Sequence, residues 1–264
     1  AAPTAGKAEK PKPRAEKPPK LDLDRYRRTL ETGTESAILD ALSELGALGK
    51  GGAAAAPLVD ALLARGANGT VVLKALETEG ELGVAASSDA VAPYVAHRRP
   101  EIRQAAATVL ASTGGPSAVA ALRRALAGPD PAVRGVAAAG LGTLGAKEAV
   151  EDLFTVLSHD TPQAALSIAT LCNPEQCDRL MALVGKLKFD VLEPAFVPLL
   201  LRPASELPDA NKLRYVERLR VLATRPAAAV LQTALNKLPK DESPVLRNAL
   251  QNALKARPIV GDTK

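Results

Sequence analysis

A helical pattern recurs along this chain with a period of roughly 31 to 34 residues. Val133-Arg134 opens VRGVAAAGLGTLG, and Ile102-Arg103 opens IRQAAATVLASTGG one period earlier. ILDALSELGALG, from Ile38, and VLKALETEGELG, from Val72, repeat a second form of it. A helical unit this short cannot bury its own apolar face, so successive copies must share a core. The period predicts an all-α chain, an α-solenoid of roughly five to seven helical pairs. Such a fold exposes long surfaces and seldom carries chemistry.

Composition agrees. The chain has three Phe, three Tyr and no Trp in 264 residues. Ala and Leu must fill the interior, and both favour helices. Alternation of β-branched and aromatic residues, the mark of strands, is almost absent. No long run of uncharged apolar residues suggests a membrane span. The net charge is +5. Residues 1–20 hold six bases (Lys7, Lys10, Lys12, Arg14, Lys17, Lys20) against Glu9 and Glu16, so the remainder is close to neutral. The basic character is a property of the tail, and it argues poorly for a nucleic-acid-binding body.

Four regions follow. Residues 1–20, with five prolines, read as a disordered basic tether, passive or touching an anionic surface. Residues 21–184 carry the repeats. Residues 185–257 read as irregular helical repeats or a cap, and 258–264 as a frayed end. Within the repeats, Asp22 or Asp24 opens the first helix, which carries Tyr26 and Leu30. Thr34 caps the second. Pro57 starts a third, closed by Arg65 and Gly66. A helix from Val71 to Glu79 is expected to be interrupted by Gly80 and Gly83, and a short one to span Ala90–Ala96. Pro100 and Pro116 are expected to start the next pair.

In the C-terminal third, stripes are expected at Leu213, Val216, Leu219 and Leu222; at Val230, Leu231, Leu235 and Leu238; and at Val245, Leu246, Leu250 and Leu254. Residues 189–203, with Phe189 and Phe196, read as a core splice or an exposed docking loop; the core is favoured.

The unit GPDPAVRGVAAAGLGTLGAKEAVEDLFTVLSHD, residues 128–160, resembles the HEAT-repeat proteins. Pro131 stands at a helix start, Asp130 as its cap, and Val133-Arg134 at the family's Val-Arg position. Residues 98–127 match through Pro100 and Ile102-Arg103. The likeness weakens at 33–66, at 67–97 and at 158–184, where Ala164 and Ala165 replace Val-Arg. It implies a ladder of capping acids and arginines along the stack, made here by Asp130, Arg134 and Arg103. It says little of function.

Cys172 and Cys177 bracket Asn173-Pro174-Glu175-Gln176. The Pro174 turn brings them within reach of a disulfide, with free buried thiols as the alternative. The spacing is not that of a redox CxxC pair, and two cysteines are too few for structural zinc. His97 and His159 each fall at a helix end, where a cation suits the helix dipole. No catalytic triad, phosphate loop or metal motif is present. No metal and no cofactor is therefore expected.

The expected function is a non-catalytic scaffold or adaptor that binds a protein partner. The candidate contacts are Arg65, Tyr94, Arg98, Arg123, Arg124 and Glu151, on the second helices of the pairs. The small residues at the AAPTAG start suit a signal-peptidase cut, which an engineered truncation would mimic. With a disulfide, this start points to the periplasm or another exported location, with the cytoplasm as the alternative. The competing function is a DNA-backbone binder or a cofactor-lyase-like subunit; nucleic acid is disfavoured because stacking aromatics are missing.

Overall fold

The computed structural model describes residues 21–240 and 242–255; the basic tether and the frayed end expected from sequence lie outside them. Fifteen α-helices are found among the described residues: α1 Leu23–Thr32, α2 Glu35–Ala47, α3 Ala56–Arg65, α4 Gly69–Leu82, α5 Ser88–Val91, α6 Pro100–Thr113, α7 Ala118–Leu126, α8 Pro131–Thr143, α9 Val150–Leu157, α10 Pro162–Leu171, α11 Pro174–Met181, α12 Phe189–Leu201, α13 Asp209–Leu222, α14 Arg225–Lys237 and α15 Pro244–Lys255. No strand occurs among them; a lone bridge joins Val184 and Leu187.

The even-numbered helices from α2 to α14 stack side by side in one layer. The odd-numbered ones pack behind them as a second layer. Taken in chain order, an even helix and the odd helix after it make one repeat, seven of them after α1, and several even helices pack as closely on the odd helix before them. Contacts run between neighbours along the stack, so this is an α-solenoid.

The alanines explain the closeness of the first layer. A first-layer helix is walled on both sides by its layer neighbours and behind by the second layer, so adjacent residues are buried together. Ala106-Ala107, Ala137-Ala138 and Ala164-Ala165 are all fully buried on α6, α8 and α10. Backbones come near enough for side chains to reach a neighbouring helix's carbonyls. Ser167 donates to the Ala138 carbonyl at 2.7 Å, and Thr78 to that of Leu42 at 3.1 Å. Gly140 marks a tight approach. A Cβ there would lie 2.5 Å from the Ala111 Cβ and 3.1 Å from Leu122. Gly140→Val is therefore expected to lose on the order of 2 kcal/mol by forcing α6 and α8 apart. Thermal melting checks this; an unchanged midpoint would mean the layer has slack.

The repeat is also written in the polar contacts. Bonds between side chains of successive units span sequence separations from 25 residues, Gln176 to Glu151, to 37, Tyr215 to Asp178.

Several local expectations need correction. Gly80 does not interrupt α4, which runs on to Leu82; Gly83 ends it in a left-handed conformation, φ 67°. The Ala90–Ala96 helix is one α-turn, α5, followed by a 3-10 segment, Ala92–Ala96, because Pro93 cannot continue the α hydrogen-bond ladder. Pro116 lies in the turn before α7, which begins at Ala118.

Residues 189–201 are not an exposed loop: they join the core, as favoured, in the form of a first-layer helix, α12, which holds Pro194 and Pro198 inside it. Each proline removes one helical hydrogen bond. Burial of Val191, Leu192, Ala195, Phe196, Leu199 and Leu200 outweighs that loss. Phe196 is buried in the core, and the half-buried Phe189 ring packs 5.3 Å from it.

In α13 the buried face is turned from the expected stripe. Lys212 and Tyr215 go inside with Val216 and Leu219, while Leu213 and Leu222 are half-exposed. Val245 is 59% exposed, not inward.

Candidate functional site

Proline and helix-end geometry shape one concave site at the turn edge of the stack. The 3-10 segment Ala92–Ala96 leads into the turn at 97–99. Across from it, α7 ends in the Gly128-Pro129-Asp130 turn that opens α8. Between them lies a cavity of about 400 Å³, floored by Ala92, Val95, Ala125 and Val133.

Arg103 on α6 ties the two turns together. Its Nη1 donates to the carbonyls of His97 at 2.9 Å and Arg98 at 3.0 Å. Its Nη2 reaches Asp130 Oδ2 at 3.2 Å. Asp130 also accepts the Ala132 N–H at 3.0 Å and so caps α8. Arg134 does not reach Asp130; it donates to the Gly128 carbonyl at 3.0 Å. The three residues of the implied ladder thus form one cross-repeat rung and one local brace.

The loop carbonyls around the cavity are thereby occupied. Arg98 and Arg124 line it with side chains that have no ion-pair or hydrogen-bond partner among the described residues. His97 Nδ1 accepts the Arg99 N–H at 3.1 Å. The rim is consequently rich in donors and positive.

The other candidate contacts serve the stack. Arg65 donates to the Leu30 carbonyl at 2.7 Å and the Glu31 carbonyl at 3.2 Å, closing the end of α1. The Tyr94 hydroxyl donates to the Leu63 carbonyl at 2.7 Å. Arg123 pairs with Asp152. Glu151 pairs with Arg179, whose guanidinium lies 4.0 Å from the Phe154 ring centre. Asp178 then pairs with Arg214 at 2.7 Å. These pairs run α7 to α9 to α11 to α13, one per step. The hydrogen bond from Arg179 holds Glu151 below its usual carboxylate range. Burial pushes Asp178 up, but donation from Tyr215, Asn211 and Arg214 holds it lower overall. Of the six contacts expected from sequence, the structure brings together only Arg98 and Arg124.

Cys172 and Cys177 join the end of α10 to α11 with their sulfurs at bonding distance. Arg202 covers them, donating to the Cys172 carbonyl at 2.7 Å. Among the described residues no group of three or more His, Cys, Asp or Glu could hold a metal.

One polar cluster escaped the sequence reading. Glu79 on α4 is fully buried, and neither carboxyl oxygen has a hydrogen-bond partner among the described residues. Asp60 on α3 and Ser87 after α4 face it, also with an unpartnered buried oxygen each. Burial pushes the Glu79 carboxyl up to about 8; the nearby Ser87 hydroxyl pulls against that rise and the Asp60 charge adds to it. The signal was present: Val72, Ala75 and Leu76 place residue 79 on the inward stripe of α4.

The fold and this edge define the class: a helical-repeat protein, an α-solenoid. No family model and no curated protein matches the chain. Among solved structures it is similar to a chain of the complex of CpcE and CpcF of phycocyanin lyase from Nostoc sp. PCC7120. That likeness is 18% in identity, covers 95% of this chain and 99% of that one, and has a TM-score of 0.48. An engineered protein is similar at 15% identity, covering 89% of this chain and 96% of that one, with a TM-score of 0.42.

Proposed function

We propose that this chain is a HEAT-type, non-catalytic scaffold that binds a protein partner along the turn edge and second-helix layer of its solenoid. The observation that carries this reading is the division of labour among its arginines. Arg65, Arg103, Arg123, Arg179 and Arg214 all hold units together, and Arg134 braces its own turn. Arg98 and Arg124 are left over at a single open cavity. That cavity offers donors without a paired nucleophile and base, which suits recognition rather than turnover. The Cys172–Cys177 pair supports an exported, oxidising location such as the cell envelope.

The test uses a photo-crosslinking residue placed at position 124 in the native host, followed by reconstitution with the captured protein. A stoichiometric complex on size exclusion is expected. The intact mass of the chain under non-reducing conditions should be short by two hydrogens. A chain that captures no protein, but retains and converts a small molecule, would replace this reading with a cofactor-lyase-like subunit.

A further inference from the structure

We infer that the cavity between the Ala92–Ala96 segment and the Gly128–Asp130 turn is a socket for a partner segment carrying one large apolar side chain flanked by carboxylates. This deepens the scaffold reading and rests on it.

Charge complementarity sets the flanks. Arg103 and Asp130 neutralise each other, so Arg98 and Arg124 leave the rim with two positive charges and no acid to balance them. Arginines near helix ends commonly serve the terminal carbonyls. Here those carbonyls have other partners. The Ala127 and Gly128 amides return to the Arg124 and Ala125 carbonyls, and Arg103 takes those of His97 and Arg98. The two guanidinium groups therefore have no internal task, and each can hold a carboxylate through a pair of parallel hydrogen bonds.

Volume and lining set the centre. The floor of Ala92, Val95, Ala125 and Val133 is apolar, and about 400 Å³ accommodates one aromatic or branched side chain rather than a folded surface. These short side chains all stand on helix or 3-10 backbone already fixed by the core, so the cavity is largely pre-formed. Binding there costs little reordering of the host.

The experiment titrates the full chain, by fluorescence anisotropy, into three labelled peptides: Asp-Glu-Phe-Leu-Asp-Glu, Lys-Lys-Phe-Leu-Lys-Lys and Asp-Glu-Ser-Ser-Asp-Glu. Only the first is expected to bind, and more weakly as salt rises. Two variants divide the recognition. Arg98→Glu with Arg124→Glu reverses the rim. Ala96→Trp, at an exposed position on the cavity wall, fills the centre. Each should weaken the first peptide by roughly tenfold or more while leaving the melting midpoint in place.

Equal binding of the first and third peptides, or of the first and second, would overturn the proposal. So would an affinity that neither variant changes. N-acetylphenylalanine binding as tightly as the first peptide would overturn it in favour of a small-molecule site. A partner complex that survives the charge reversal defeats the socket alone; peptide binding with no protein partner defeats the scaffold reading alone.

Discussion

At pH 8 the Glu79→Gln variant is expected to be more stable than the parent chain by roughly 2–3 kcal/mol, and equal to it near pH 4. The Glu79 carboxyl is held at about 8 in the fold and at an ordinary 4.5 in the unfolded chain. A pKa raised by folding favours the folded state while the group is protonated in both states. The advantage is lost as pH climbs from about 4.5 to about 8. Above that the full cost stands, on the order of 5 kcal/mol. Glutamine removes the ionisation but brings an amide that must find partners among Asp60 and Ser87, which returns part of the gain.

The measurement is the melting midpoint of both chains from pH 4 to pH 9. The parent should fall through this window by more than the variant does. Asp60, also raised by burial, keeps a smaller slope in both chains. Identical slopes would mean that Glu79 has found water or a cation in solution. Asp178 and Asp209, both held low, act in a separate window; their contribution is lost only as pH falls below the ordinary carboxylate range.

Removing the partner of Lys212 should be the most damaging change in the C-terminal third. Lys212 is 1% exposed, and its ammonium pairs with Asp209 Oδ1 at 3.1 Å. Asp209 accepts the Ser243 hydroxyl at 2.6 Å on its other oxygen, and Ser243 Oγ accepts the Leu246 N–H at 3.1 Å. One carboxylate therefore neutralises a buried cation and secures the start of α15.

Asp209→Ala is expected to cost about 3–5 kcal/mol, because it strands a charge in the core. Lys212→Met should cost less than about 1 kcal/mol or stabilise, since an apolar stem of similar length replaces a desolvated ammonium. The double variant should recover most of the loss. Urea unfolding of all three, with hydrogen exchange in α13 and α15, reads this out. A double variant as unstable as Asp209→Ala would show that capping of α15 through Ser243, not the charge, is the larger effect.

The partners of these groups were hidden in the sequence for a common reason. Lys212 sits one position away from Leu213, and a pattern of apolar residues reads Leu213 as the inward one. Which side of α13 faces the core depends on where α12 and α15 lie, and no residue of α13 records that. Arg98 stands in the turn at 97–99 and Arg124 on α7, and they share a rim because Arg103 ties that turn to the one opening α8. Arg123, the sequence neighbour of Arg124, is spent on Asp152.

Local signals in the chain suffice for the class of structure. Prolines stand at helix starts, Asp130 and Thr34 act as caps, alanine pairs are buried, and the pattern recurs at the length of one helical pair. Each signal acts within one unit or between neighbours, and a solenoid is built from such neighbours. Even α12 forms against its two prolines, which six buried apolar residues overrule. Only the assembled stack decides which charges bind each other and which remain free. An arginine reads the same in sequence whether its partner lies in the next unit or nowhere, since pairing is set by how the units stack.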